Sequence, residues 1–105
     1  MKLIIITAVK TFEERIKKML AGNGVYAFSY NSVSGFRDVS KEGPNRSWFA
    51  NPNNKVDSLL FFAMVSAEIA DKVFDAVQDE NTTCDLRTKI HIGITDMEKF
   101  NSIKK

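Results

Sequence analysis

The side chains that most often carry chemistry are scarce in this chain, which has one histidine, His91, and one cysteine, Cys84. On different segments, these two cannot complete a four-ligand metal site within one chain, and only symmetry-related copies would multiply them. General acid–base catalysis loses its usual equipment with them, and no glycine-rich phosphate loop is present. What remains is the chemistry of binding. Arg87 and Lys89 can clamp an anion, arginine with two prongs and lysine as a point charge, or can be solvated charges at a strand entrance. Thr82, Thr83 and Thr88 add hydroxyls to the same stretch. Gly35 permits a close backbone approach to a ligand beside Phe36, or it serves an ordinary turn with Phe36 in the core. Trp48 and Phe49 stand among polar residues, where large aromatics need something to dock on, either a partner or the protein's own assembly. Asp79, Glu80 and Asp85 read as solvated connector charges. This inventory leads us to expect a binding protein and not an enzyme.

The elements that must position these residues belong to a short chain. Its 105 residues, 44% of them hydrophobic, make one globular domain over positions 1–105. A chain of this size buries only roughly 60–70% of the surface its unfolded form exposes, so self-association would help it. Fifteen Lys and Arg against thirteen Asp and Glu, mixed along the chain, give a net charge of +2 and no basic block to track a nucleic-acid backbone. A lone cysteine excludes an intrachain disulfide, and the longest apolar runs, 3–6 and 59–65, are too short to span a bilayer. Lys10, Glu13 and Glu14 follow the first run where a signal peptide would carry small cleavage-site residues. The expected location is the cytoplasm, without membrane insertion.

Residues 2–9, KLIIITAV, read as a strand covered on both faces. Thr11 and Glu14 have capping-box spacing, and Phe12, Ile16, Met19 and Leu20 follow at helical spacing, which predicts a helix over 12–21 closed by Gly22 and Gly24. Residues 25–34 alternate as a second strand, with Tyr26, Phe28 and Tyr30 on one side. Positions 35–55, with both prolines and no sustained period, predict a long loop, of a length that is usually either functional or disordered. A third strand over 56–65 is apolar on both faces. Ser66 caps a second helix through Ile69, Val73, Ala76 and Val77 that ends near Gln78. Residues 89–94 alternate as a fourth strand, and Thr95 with Glu98 predicts a short C-terminal turn or helix. The order βαβ, loop, βαβ is ferredoxin-like α+β: a four-stranded antiparallel sheet with two helices on one face. Helices cover only one face, so the apolar second face requires a cover, most economically further copies in a closed ring.

With GVYAFSYNSVSGFR leading into the long loop, KVDSLLFFAMV leaving it and TKI opening the last strand, nearly the whole chain resembles the PII signalling family. Its most specific part is the spacing from Gly24 to the Gly35-Phe36 step at the base of that family's T-loop. The resemblance implies a homotrimer whose subunit clefts bind an adenine nucleotide as effector, with no cofactor required. It also implies a T-loop read by a membrane transporter or an enzyme, and no catalysis. The effector residues it implies are Ala27, Phe28 and Ser29, then Gly35, Phe36 and Arg37 at the loop base, Phe62 and Met64 on the third strand, and Arg87, Thr88 and Lys89. Lys41, Arg46, Trp48 and Phe49 would form the partner-binding loop, with no metal site.

Departures mark a divergent member. The phosphate-binding loop after the second helix, glycine-rich in the family, is here NTTCDLRTK. The glutamine that helps the family bind 2-oxoglutarate is replaced by Arg37, Asp38 and Val39 after Phe36. The loop holds no tyrosine for modification, and the paired arginines after the last strand are absent, the nearest basic residues being Lys99, Lys104 and Lys105. A second resemblance is to CutA-like trimers linked to divalent-metal tolerance or efflux, carried by Trp48-Phe49 before an apolar strand. Their His-Pro-Tyr segment after the second helix has no counterpart. Acylphosphatases share the plain fold but use an arginine in a glycine-containing loop where this chain has Val9, Lys10, Thr11 and Phe12.

Overall fold

The computed structural model describes residues 1–36, 55–83 and 90–101. Four strands and two helices follow in the expected order: β1 (Lys2–Val9), a 3-10 turn (Lys10–Phe12), α1 (Glu13–Gly22), β2 (Ser29–Phe36), β3 (Lys55–Val65), α2 (Ala67–Thr83) and β4 (His91–Asp96). The strands form one antiparallel sheet in the order β2-β3-β1-β4. This is the ferredoxin-like arrangement, and it follows from alternation. Ile4, Ile6 and Ala8 of β1 lie opposite Ala63, Phe61 and Leu59 of β3, and these six are buried. Ile16 and Leu20 of α1 with Ala70, Val73 and Val77 of α2 close the core from above. Helical spacing puts both sets on single faces, so burying them is the chief stabilising term.

The remaining residues of each strand define the second face. Leu3, Ile5, Leu60, Phe62 and Met64 share it by register, with Phe62 40% and Met64 58% exposed. Thr7 and Ser58, the buried polar residues among those described, lie on this same side. The helix-free face is therefore apolar at the Leu3 end and polar toward Val9.

Several sequence expectations need correction at element ends. The Thr11–Glu14 capping box does not form: Lys10–Phe12 turn as a 3-10 helix, Phe12 takes the N-cap position without a side-chain bond, and Glu14 approaches Lys17 at 3.8 Å. Strand two begins at Ser29 and not at Val25, because the chain is first tied to α1. Gly24 adopts φ 94°, a conformation that favours glycine, and the Val25 amide then donates to the Leu20 carbonyl at 2.9 Å. Gly35 and Phe36 belong to β2, paired with Val56 and Lys55, so the loop expected over 35–55 does not include 35, 36 or 55, and the rest of that expectation, 37–54, lies outside the described residues. The Ser66 cap is present, its Oγ accepting from the Ile69 amide at 3.3 Å.

Helix α2 does not stop near Gln78 but continues to Thr83, with the Thr82 hydroxyl donating to the Asp79 carbonyl at 3.0 Å. Asp79 and Glu80 are thus helical residues, not connector charges, and Glu80 pairs with Arg15 of α1 at 3.6 Å. At the other end of the chain β4 runs on to Asp96, which meets Lys2 at 3.4 Å, and the Met97 amide donates to the Met1 carbonyl at 3.1 Å. Sheet contacts thus hold Thr95 and Asp96, where a short C-terminal turn or helix is expected to start; a bend at Glu98 follows, and no helix forms there among the described residues.

Candidate functional site

Two local events aim residues 27–29. The Gly24 turn ends α1, and β2 joins the ladder only where Ser29 meets Phe62. Between them the backbone, outside the ladder, carries Phe28 inward against the core and leaves Tyr26 86% exposed. Phe28 packs on Phe61 at 5.8 Å between ring centroids, and Phe61 stacks on Tyr30 at 5.1 Å and 16°. Tyr30 in turn lies under the Lys17 ammonium, 4.6 Å from the ring centroid, and Lys17 holds Glu13 at 2.8 Å. Glu13 raises the Lys17 pKa further above the lysine range, and Lys17 lowers that of Glu13. This clamp of α1 onto the β2 edge went unnoticed in the sequence, where Lys17 and Tyr30 belong to separate patterns.

Beside these rings, Ala27, Phe28, Ser29, Phe62, Ala63 and Met64 line one open depression of about 330 Å³. Two phenyl rings, a thioether and a single hydroxyl suit a flat, weakly polar group and offer no charge to an anion. Five of the effector residues expected from sequence thus stand together: Ala27, Phe28, Ser29, Phe62 and Met64. Gly35 and Phe36 do not join them. They lie at the far end of β2, about 20 Å along the strand from Ser29, so a site using both ends must be elongated. Arg37, Lys41, Arg46, Trp48, Phe49, Arg87, Thr88 and Lys89 fall outside the described residues.

Two features prepare the entry to β4. The Asn81 carboxamide donates to the Ile90 carbonyl at 2.8 Å and accepts from the Ile90 amide at 2.9 Å, acting as a substitute strand partner. Beyond it, His91 faces Thr7 across the ladder, and burial of the imidazole lowers its pKa. Among the described residues no three metal-ligating side chains come together, and no helix is long and apolar enough to cross a membrane.

The sheet order and helix placement define a ferredoxin-like protein, and comparison with solved structures narrows the fold to the PII-like variety. A structure of CPII, a nitrogen regulatory PII-like protein from Thiomonas intermedia bound to ADP, AMP and bicarbonate, matches with a TM-score of 0.68. The match covers 97% of this chain and 94% of that one at 14% identity. A protein of Thermus thermophilus described as PII-like and signalling matches with a TM-score of 0.60, over 90% of this chain and 83% of that one at 15% identity. At such identities the likeness is one of fold. No protein-family model and no curated protein matches the chain.

Proposed function

We propose that this chain is a PII-like regulatory protein: a homotrimer that takes an adenine nucleotide at its subunit clefts and presents the loop of residues 37–54 to a membrane transporter or an enzyme in the cytoplasm. The observation that carries the reading is the depression formed by residues 27–29 and 62–64. Its size and its mostly apolar, uncharged lining support a purine as the occupant, and a protein of the same fold has been solved with ADP, AMP and bicarbonate. The neutral lining divides the labour. The base would lie against Phe28, Phe62 and Met64, and the phosphates would need cations from elsewhere, for which Lys89, Arg87, Thr88 and the loop base from Gly35 to Arg37 are the candidates. Without a glycine nest, a nucleotide with fewer phosphates fits better, since fewer anionic oxygens then need donors. Regulation further requires that the effector bind the two loop states unequally, because equal affinity shifts nothing. The protein would act as a sensor, without catalysis.

Calorimetry of the wild-type oligomer with ATP, ADP, AMP and bicarbonate tests this. Binding of at least one adenine nucleotide is expected, weakened by about 1.5–3 kcal/mol in Lys89→Ala, the range for losing a charge-assisted hydrogen bond. Trp48→Ala should leave that affinity unchanged. No heat with any adenine nucleotide at millimolar concentration would refute the reading.

A further inference from the structure

A second depression, of about 210 Å³, opens at the other end of the sheet and shares no residue with the first; Lys10, Ser32, Val33, Ser34 and Asp57 line it. Three segments build it. Ser32 and Ser34 fall on one side of β2 by alternation, Asp57 of β3 lies directly opposite Ser34, and Lys10 follows the last residue of β1, where Val9 pairs with Ser58. Both strands that wall it run to the limits of the 37–54 segment, β2 to Phe36 and β3 from Lys55.

The charges of this depression are arranged unusually. Lys10 and Asp57 carry opposite signs on the wall of one small concavity, yet they form no ion pair with each other. Opposite charges that line one concavity without pairing with each other are complementary to a ligand that brings both signs itself. A simple anion would be drawn to Lys10 but repelled by Asp57, and a simple cation would meet the reverse. A zwitterion satisfies both ends at once, its carboxylate accepting from the Lys10 ammonium and its own ammonium donating to the Asp57 carboxylate. The Ser32 and Ser34 hydroxyls, which donate and accept equally well, suit the oxygens and N–H groups left over.

We propose that this depression binds a small zwitterion of the α-amino-acid class, at the strand ends that carry the loop. Its chemistry and residues are independent of the nucleotide reading. The charges involved are exposed, so water screens them and the affinity belongs in the millimolar range, on the order of 1 mM.

Amide shifts of the isotope-labelled full-length protein, followed while glycine or L-alanine is added at constant ionic strength, test the proposal. Acetate and methylammonium serve as single-charge controls. Saturable shifts at Ser32, Ser34 and Asp57 are expected with the amino acids and not with the controls. Lys10→Gln and Asp57→Asn should each weaken binding by about ten-fold or more, the loss of one charge-assisted contact. The double exchange Lys10→Asp with Asp57→Lys should recover it, because a zwitterion can enter the other way round. Equal response to acetate, absence of saturable shifts with both amino acids, or a folded double exchange that stays silent would each overturn it. ADP titrations of the same variants should match the wild type, which keeps a failure here distinguishable from a failure of the nucleotide site.

Discussion

At the scale of single residues the clearest pH signature belongs to His91. Its imidazole is half-buried opposite Thr7, and the loss of water around the ring holds its pKa below the ordinary 6.5. The unfolded chain therefore takes up this proton more readily than the folded one, and protonation favours unfolding. Stability from this group is fully present above about pH 6.5 and is lost as pH falls from there through the folded value. Glu13 contributes with the same sign but further into acid: Lys17 lowers its pKa, so its stabilisation is present above the unfolded value near 4.5 and is lost as pH falls through the lower folded one. The two windows are separate. Urea midpoints should accordingly drop between about pH 8 and pH 5.5 in the wild type and change less in His91→Gln. A variant that keeps the full wild-type drop over that interval would show that other groups cause it.

Among the elements, α2 and β4 are coupled through one side chain. Asn81 supplies Ile90 with both a donor and an acceptor, and Ile90, 2% exposed, cannot replace them readily with water. Asn81→Ala should cost about 2 kcal/mol, the net contribution of two modest hydrogen bonds. Asn81→Asp retains the acceptor and should lose roughly half as much, measured by denaturant unfolding at neutral pH; equal losses in the two variants would contradict this division. Asn81 also shows what sequence reading can reach. The Ser66 cap was legible because its partner is three residues away, and the core faces of both helices because their spacing is local. The partner of Asn81 lies nine positions on, a separation that no local spacing describes, and the helix expected to end near Gln78 leaves Asn81 in a connector. Alternation misled at residues 25–28 for a related reason: an extended segment alternates whether or not a neighbouring strand pairs with it. Five residues that line the depression are among those the family resemblance names, and pattern alone assigns no ligand to an alanine or a phenylalanine.

The whole molecule poses the question of what covers the second face of the sheet. Leu3, Ile5, Leu60, Phe62 and Met64 form a continuous apolar patch there, and a fully buried side chain of this kind contributes roughly 1.5–3 kcal/mol. Association must offset an ordering cost of about 4–15 kcal/mol, so several such residues have to be buried together, and a repeated symmetric contact does this in every copy. Phe62 and Met64 belong both to the patch and to the depression proposed for the effector, so substituting them would confound assembly with binding. Ile5 separates the two. It lies on the same face, directly opposite Phe62, is only half-buried, and does not line the depression of its own chain. Light scattering on the wild type should report three copies, and Ile5→Asp should give single copies that still melt cooperatively. If a neighbouring copy completes the nucleotide site, the same variant should also lose most of its ADP affinity although every lining residue of its own depression remains. Single copies that bind ADP with wild-type strength would place the effector within one chain. Three copies of Ile5→Asp would move the assembly to a different surface, because a carboxylate cannot be buried unpaired in an apolar interface without a cost of several kcal/mol.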